Sequence, residues 1–184
     1  MSSPLTTILL VEDDPTDAAR IRQSLTGACD QSFRVESVAH LADALARLGC
    51  GGVQLVLLAL DLPDAQGIEA FEQVAAIAGD ALIVVLSAAG DEATARQALE
   101  RGASDYFVKG DMDVHWLPRA LHHLLETTKA RAALRASEAR FRAMSDASPL
   151  GIFVSDEAGD CVYTNAAYHA ISGLSFAETL GTKW

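Results

Sequence analysis

No run of clustered lysine and arginine occurs in this sequence, and its net charge is −11. Nucleic acid and anionic membrane both need clustered cations, so neither is expected as a partner. Cysteine is scarce. Cys29, Cys50 and Cys161 are odd in number and far apart, and no pair has metal-ligand spacing. They read as small, reduced hydrophobes of a cytosolic protein. Long apolar runs are missing as well. "VQLVLLAL" and "ALIVVL" fall far below the roughly 20 residues of a membrane span. The opening "MSSPLTTILLVEDD" meets acids after a short apolar run and does not read as a signal peptide.

What is there suffices for one full domain and part of a second. The chain has 184 residues and half of them are hydrophobic. Short apolar runs alternate with helical patterns. "ILLV" (Ile8–Val11), "FRVESV", "LVLLA", "LIVVLS" and "DYFVK" read as five strands. Asp14-Pro15 opens the first helix as cap and first-turn proline, with Ala18, Ile21 and Leu25 on one face. Leu41, Ala44, Leu45 and Leu48 mark a second helix, stopped by Gly49. Ile68, Phe71, Val74 and Ala75 mark a third. A fourth runs from about Asp91 to before Gly102, a left-handed cap, and a fifth starts near Val114. Five strand–helix repeats predict a doubly wound α/β fold with a five-stranded parallel sheet and helices on both faces.

The fifth helix has no stop signal. From Val114 to about Ser145 there is no glycine, and the only proline, Pro118, lies in the first turn. Leu117, Leu121, Leu124 and Thr128 keep one helical spacing. Leu134, Ser137, Phe141 and Met144 resume it in a shifted phase. About 30 residues would reach roughly 45 Å, beyond the first domain. The exposed stripe suggests a paired, coiled-coil-like linker. After Pro149, "GIFVSD", "EAGD" and "CVYTN" read as strand, turn, strand, and "AAYHAISG" as a short helix. His122 and His123 are adjacent, so they point to different faces of the fifth helix and read as surface residues.

In an open parallel sheet, ligands bind beyond the carboxyl ends of the strands. Glu12, Asp13 and Asp14 follow the first strand, Ala59 and Asp61 the third, Ser87 the fourth and Lys109 the fifth. Carboxylates suit a hard divalent cation such as Mg²⁺, and a hydroxyl and an ammonium suit the oxygens of a phosphoryl group. A carboxylate nucleophile at the end of the central strand is missing. Taken singly, each residue has a plain structural role: Asp14 a helix cap, Ser87 a strand-end hydroxyl, Lys109 a solvated loop lysine. Their convergence on one sheet end favours a shared site.

"ILLVEDDPTDA", "LVLLALDLPDAQGIEAF", "VVLSA" and "GASDYFVKG" resemble a two-component response-regulator receiver domain over residues 6–127 or so. The resemblance implies a flavodoxin-like strand order 2-1-3-4-5. It implies Glu12 and Asp13 as the acidic pair for Mg²⁺, helped by the main-chain carbonyl of Asp61. It implies Ser87 and Lys109 as phosphate partners, and Ser87 with Tyr106 as the switch pair. Leu62-Pro63 and Gly67 fix the register, and the phosphoacceptor position falls on Ala59. Gly110 stands where the family usually has proline. An alanine methyl can neither attack phosphorus nor ligate Mg²⁺, so no aspartyl phosphate is expected here, and a weakened metal site. Ala59 is open to two accounts: natural degeneration to a phosphate-independent scaffold, or an engineered aspartate-to-alanine change.

"SEARFRAMSDASPLGIFVSDEAGDCVYTNAAYHAISG" resembles the first half of a PAS domain, with Asn165 in "TNAAY". No bound cofactor is inferred for it. The expected organisation is a receiver at 1–127, a linker helix at 128–145 and a partial PAS domain at 146–184. The resemblance implies a regulatory, non-enzymatic, cytoplasmic module in a phosphorelay. Its partners would be a histidine kinase or phosphotransfer protein and a second copy, met through linker helix and receiver. A histidine kinase or diguanylate cyclase output would complete it. A third reading, a haloacid-dehalogenase-like phosphatase, needs two acids separated by one residue, whereas Asp61 and Asp64 are separated by two.

Overall fold

A computed structural model describes residues 5–27, 33–88, 91–111 and 116–180. Cys29 and the expected start of the fifth helix at Val114 lie outside the described residues. The chain divides into two compact units, Met1–Leu125 and Glu126–Trp184.

The first unit is built on strands β1 (Thr6–Val11), β2 (Phe33–Val38), β3 (Leu55–Ala59), β6 (Leu82–Ser87) and β7 (Asp105–Val108). All neighbours are parallel, in the order β2-β1-β3-β6-β7. Among the five main strands this is the 2-1-3-4-5 order expected. A tight hairpin of β4 (Asp61–Leu62) and β5 (Ala65–Gln66) follows β3. The sequence gives no alternating pattern long enough to reveal it.

Successive strand residues point to opposite faces. Ile8, Leu10, Leu55, Leu57, Val84 and Leu86 therefore pack with Ile21 and Leu25 of α1 (Pro15–Gly27) and Leu117, Leu121 and Leu125 of α5 (Trp116–Asp146). Leu9, Val11, Val56, Leu58, Ile83 and Val85 pack instead with α2 (Leu41–Gly49), α3 (Ile68–Ile77) and α4 (Glu92–Glu100). Each fully buried leucine contributes roughly 1.5–3 kcal/mol, against at most about 1 kcal/mol for an exposed ion pair, so these two layers hold the sheet.

Three sequence expectations shift in detail. Ala70, not Ala75, completes the buried face of α3, because Ala75 lies one helical step outside the sheet-facing stripe. Leu125 joins Leu117 and Leu121 in the core, while Leu124 is half-buried and packs at the edge of that layer. Gly49 is the last residue of α2 rather than its stop. The positive φ values fall on Gly51 and Gly52, at 72° and 78°.

The caps explain two further boundaries. Asp14 Oδ1 accepts hydrogen bonds from the Thr16 and Asp17 amides at 2.7 and 3.1 Å, ahead of Pro15. Helix α2 has no cap from its own His40. Instead Asp64, 23 positions away from Leu41, accepts from the Leu41 and Ala42 amides at 2.9 and 3.0 Å.

The second unit holds an antiparallel hairpin of β8 (Phe153–Ser155) and β9 (Cys161–Thr164), with α6 (Ala166–Ser172) and α7 (Phe176–Thr179). Asn165 organises it. Its side chain is fully buried and uses all four amide valences. Oδ1 accepts from the Ile152 and Tyr168 amides at 2.8 and 2.9 Å. Nδ2 donates to the carbonyls of Ser145 and Leu150 at 2.7 and 2.9 Å. One side chain thus caps α6 and joins it to the last turn of α5 and the start of β8.

Two outcomes test these cap assignments. Backbone amides hold the Asp64 carboxyl below its ordinary value of 3.8. Its contribution is therefore complete above pH 3.8 and disappears as pH falls through the lower folded-state value. An Asp64→Ala variant should melt below the parent at pH 7, and the gap should close as pH falls below 3.8; a constant gap would mean the carboxylate is not the cap. Asn165→Ala strands several buried partners and should destabilise the second unit by roughly 2–4 kcal/mol. Amide hydrogen exchange should show the loss after residue 145 and leave β1 and β3 protected.

Candidate functional site at the carboxyl edge of the sheet

Because every main strand runs the same way, the residue after each one reaches the same edge. Val11 is in register with Leu58, Ala59 with Leu86, and Ser87 with Val108. Glu12, Ala59, Ser87 and Lys109 therefore come together at the ends of β1, β3, β6 and β7. A crevice of about 870 Å³ opens beside them.

Its charge is one-sided. Glu12, Asp13, Asp14, Asp17, Asp61 and Asp91 line it, with Lys109 as the one cation among the described lining residues. Lys109 Nζ lies 2.7 Å from Glu12 Oε1 and 3.9 Å from Asp17 Oδ2. Glu12 is 3% exposed, and burial pushes its carboxyl above the ordinary 4.5 despite the opposing pull of Lys109. Desolvation thus outweighs the ion pair there. The other carboxylate oxygen, Oε2, is buried and has no hydrogen-bond partner.

Ser87 Oγ is also buried without a partner, in a residue 1% exposed. Ala59 is fully buried and ends β3. Asp13 and Asp61 are exposed, and Asp61 belongs to the β4–β5 hairpin. That hairpin closes through the Gly67 amide, which donates to the Leu60 carbonyl at 2.6 Å. Gly67 has φ 61°, a conformation open to glycine and strained for a side chain. Tyr106 is half-buried on β7 and packs against the layer of α2, α3 and α4. Lys109, Gly110 and Asp111 form a single 3₁₀ turn.

The sequence-predicted residues Glu12, Asp13, Asp61 and Lys109 line one crevice, with Ala59 and Ser87 at the adjacent strand ends. Tyr106 stands on the neighbouring strand, with no lining role. Asp64 is engaged as the cap of α2 and does not line the crevice. Two participants escaped sequence reasoning. Arg20 Nη2 donates to the Lys109 carbonyl at 2.6 Å and to Asp17 Oδ1 at 3.0 Å. Asp17 in turn faces Lys109. The three-residue spacing of Asp17 and Arg20 signals a local pair. Nothing local signals a bond across 89 positions.

Among the described residues, no three His, Cys, Asp or Glu side chains are grouped to hold a metal by themselves. The partnerless Glu12 oxygen beside the Asp13 carboxylate fits a hard cation that completes its shell with water and main-chain oxygen. Nor is any helix, among the described residues, long and apolar enough to cross a membrane.

Comparisons with known proteins match residues 8–122 to the response regulator receiver domain and residues 139–183 to the PAS fold. The nitrate/nitrite response regulator protein NarL of Escherichia coli (strain K12) is 31% identical over 121 residues, covering 63% of this chain and 53% of NarL. The swarming motility regulation protein RssB of Serratia marcescens is 32% identical over 124 residues, covering 67% and 51%. The chain spans about half the length of these curated relatives. A signal receiver domain of an HD domain-containing protein from Pseudomonas fluorescens Pf-5 superposes with a TM-score of 0.63. It is 22% identical and covers 72% of this chain and 96% of that one. A response regulator receiver domain protein from Clostridium thermocellum gives a TM-score of 0.60 at 20% identity, covering 68% and 98%. These two likenesses speak to the fold. With its sheet order, its acidic edge and that family match, the chain belongs to the response regulator receiver domain family, joined to a PAS-fold segment, and serves in signalling.

Proposed function

We propose that the chain is a regulatory input module whose receiver, at 1–127, would in its competent form, with aspartate at position 59, take a phosphoryl group there from a histidine kinase or phosphotransfer protein. The linker helix at 128–145 would report the change to the PAS segment at 146–184. The module is not an enzyme and works in the cytoplasm, in series with an output such as a histidine kinase or diguanylate cyclase. It pairs with a second copy through linker helix and receiver. With alanine at position 59 it cannot form the aspartyl phosphate, and it rests in the unphosphorylated packing.

The observation that carries this reading is the arrangement around Ala59. Lys109 is held at 2.7 Å from Glu12, and Ser87 keeps a buried hydroxyl with no partner on the adjoining strand. A buried hydroxyl without a hydrogen bond costs about 1–3 kcal/mol, and a phosphoryl oxygen at position 59 would satisfy it. Lys109 would then exchange Glu12 for the phosphate, and Tyr106 would turn inward. The effect is a population shift between two packings, driven by contacts made in only one of them. Glu12 and Asp13, with the Asp61 carbonyl, would hold Mg²⁺, which neutralises charge during phosphoryl transfer. With no carboxylate at 59, that affinity is weak.

A second reading keeps the module and removes the phosphate: a scaffold acting through pairing alone. Ala59 itself favours it, since the residue required for covalent switching is not in the chain.

Intact mass after treatment with a small phosphodonor and Mg²⁺ separates the two. Ala59→Asp should gain one phosphoryl mass and the parent none. A gain on both would move the acceptor to Asp61 or elsewhere, and a gain on neither would favour the scaffold. Adding a carboxylate to an edge already lined by six should also lower stability without metal by about 1 kcal/mol. It should restore Mg²⁺ binding in a fluorescence or calorimetric titration. Identical titrations for parent and variant would place the metal ligands wrongly.

A further inference from the structure

Every residue from 129 to 144 of α5 is exposed. A helix exposed all round is normally polar all round, yet this one carries Leu134 at 61%, Phe141 at 47% and Met144 at 70% exposure. Phe141 stays half-exposed even with its ring 5.2 Å from that of Tyr163. Ala130, Leu134, Ser137, Phe141 and Met144 follow a 4-3-4-3 spacing, which keeps them on one stripe. At about 100° per residue, that stripe lies roughly half a turn from Leu117, Leu121 and Leu125, which are buried in the receiver core. The apolar face of α5 thus changes sides between Leu125 and Ala130. Covering the second stripe does not compete with packing of the first.

The spacing is the 3.5-residue repeat of a two-helix seam, with Leu134 and Phe141 at one core position and Ala130, Ser137 and Met144 at the other. The charges beside it point to the occupant. Arg131 directly follows Ala130, and Glu126 directly precedes Thr127, the position one heptad before Leu134. If two copies pair in parallel, Arg131 meets the partner's Glu126; if they pair antiparallel, it meets the partner's Glu138. In either orientation the chain supplies its own counter-charge.

We propose that a second copy of this chain packs along Ala130–Met144, on the side of α5 opposite its receiver-facing stripe, with Arg131 paired across the seam to an acid of the other copy. This deepens the dimeric reading above and rests on it.

Sedimentation of the full chain with a Leu134→Glu variant tests the seam. Leu134 touches no core, so at concentrations low enough for both to be monomeric the variant should keep the parent's melting curve, while its dimer dissociation constant rises at least about 100-fold. Arg131→Glu should weaken the dimer as well. Recovery when it is combined with Glu126→Arg marks a parallel seam, and recovery with Glu138→Arg an antiparallel one. A parent that stays monomeric at high concentration would overturn the dimeric reading itself. A parent dimer left unchanged by Leu134→Glu would overturn the seam alone and assign the contact to the receiver.

Discussion

A parallel sheet gathers the residue after every strand onto one edge, and the chemistry of this chain depends on that constraint. Glu12 and Lys109 are 97 positions apart, yet they meet at 2.7 Å because β1 and β7 end on the same side. Their pairing is expensive in isolation. Glu12 is buried deeply enough that desolvation raises its pKa against the pull of the lysine. The alternating apolar layers on both faces hold the strands in register, and that register keeps a charge pair in place where burial opposes it.

The same edge explains what alanine at position 59 changes. Among the described residues, six carboxylate side chains line the crevice around one ammonium. An aspartate at the end of β3 would add a further negative charge and offer Lys109 a third partner. Without it, Lys109 is shared between Glu12 and Asp17, and Arg20 bonds both Asp17 and the Lys109 carbonyl. The lysine loop is thus tied to α1 at two points, through side chain and main chain.

Much of this was legible in the residues. The two-sided burial follows from continuous apolar runs, the edge residues follow from where those runs end, and the strand order came from the receiver resemblance. The positive φ of Gly67 supplies the physical reason for the glycine there. Asp64 was not legible as the cap of α2, because that bond joins residues brought together by the fold and not by the chain. Arg20 was hidden for the same reason. The change of side along α5 was visible as a shift in spacing. That Leu125 belongs to the first stripe and Leu134 to the second needed the burial of each.

Asn165 adds a mechanical consequence. Its amide grips the carbonyl of Ser145 at the end of α5 and, from its other end, the amides of Ile152 and Tyr168. All four valences are committed, so the last turn of the helix cannot slip against the hairpin without breaking a buried hydrogen bond. The joint behaves as a key: the last turn of α5, the start of β8 and α6 are locked to one another by a single side chain.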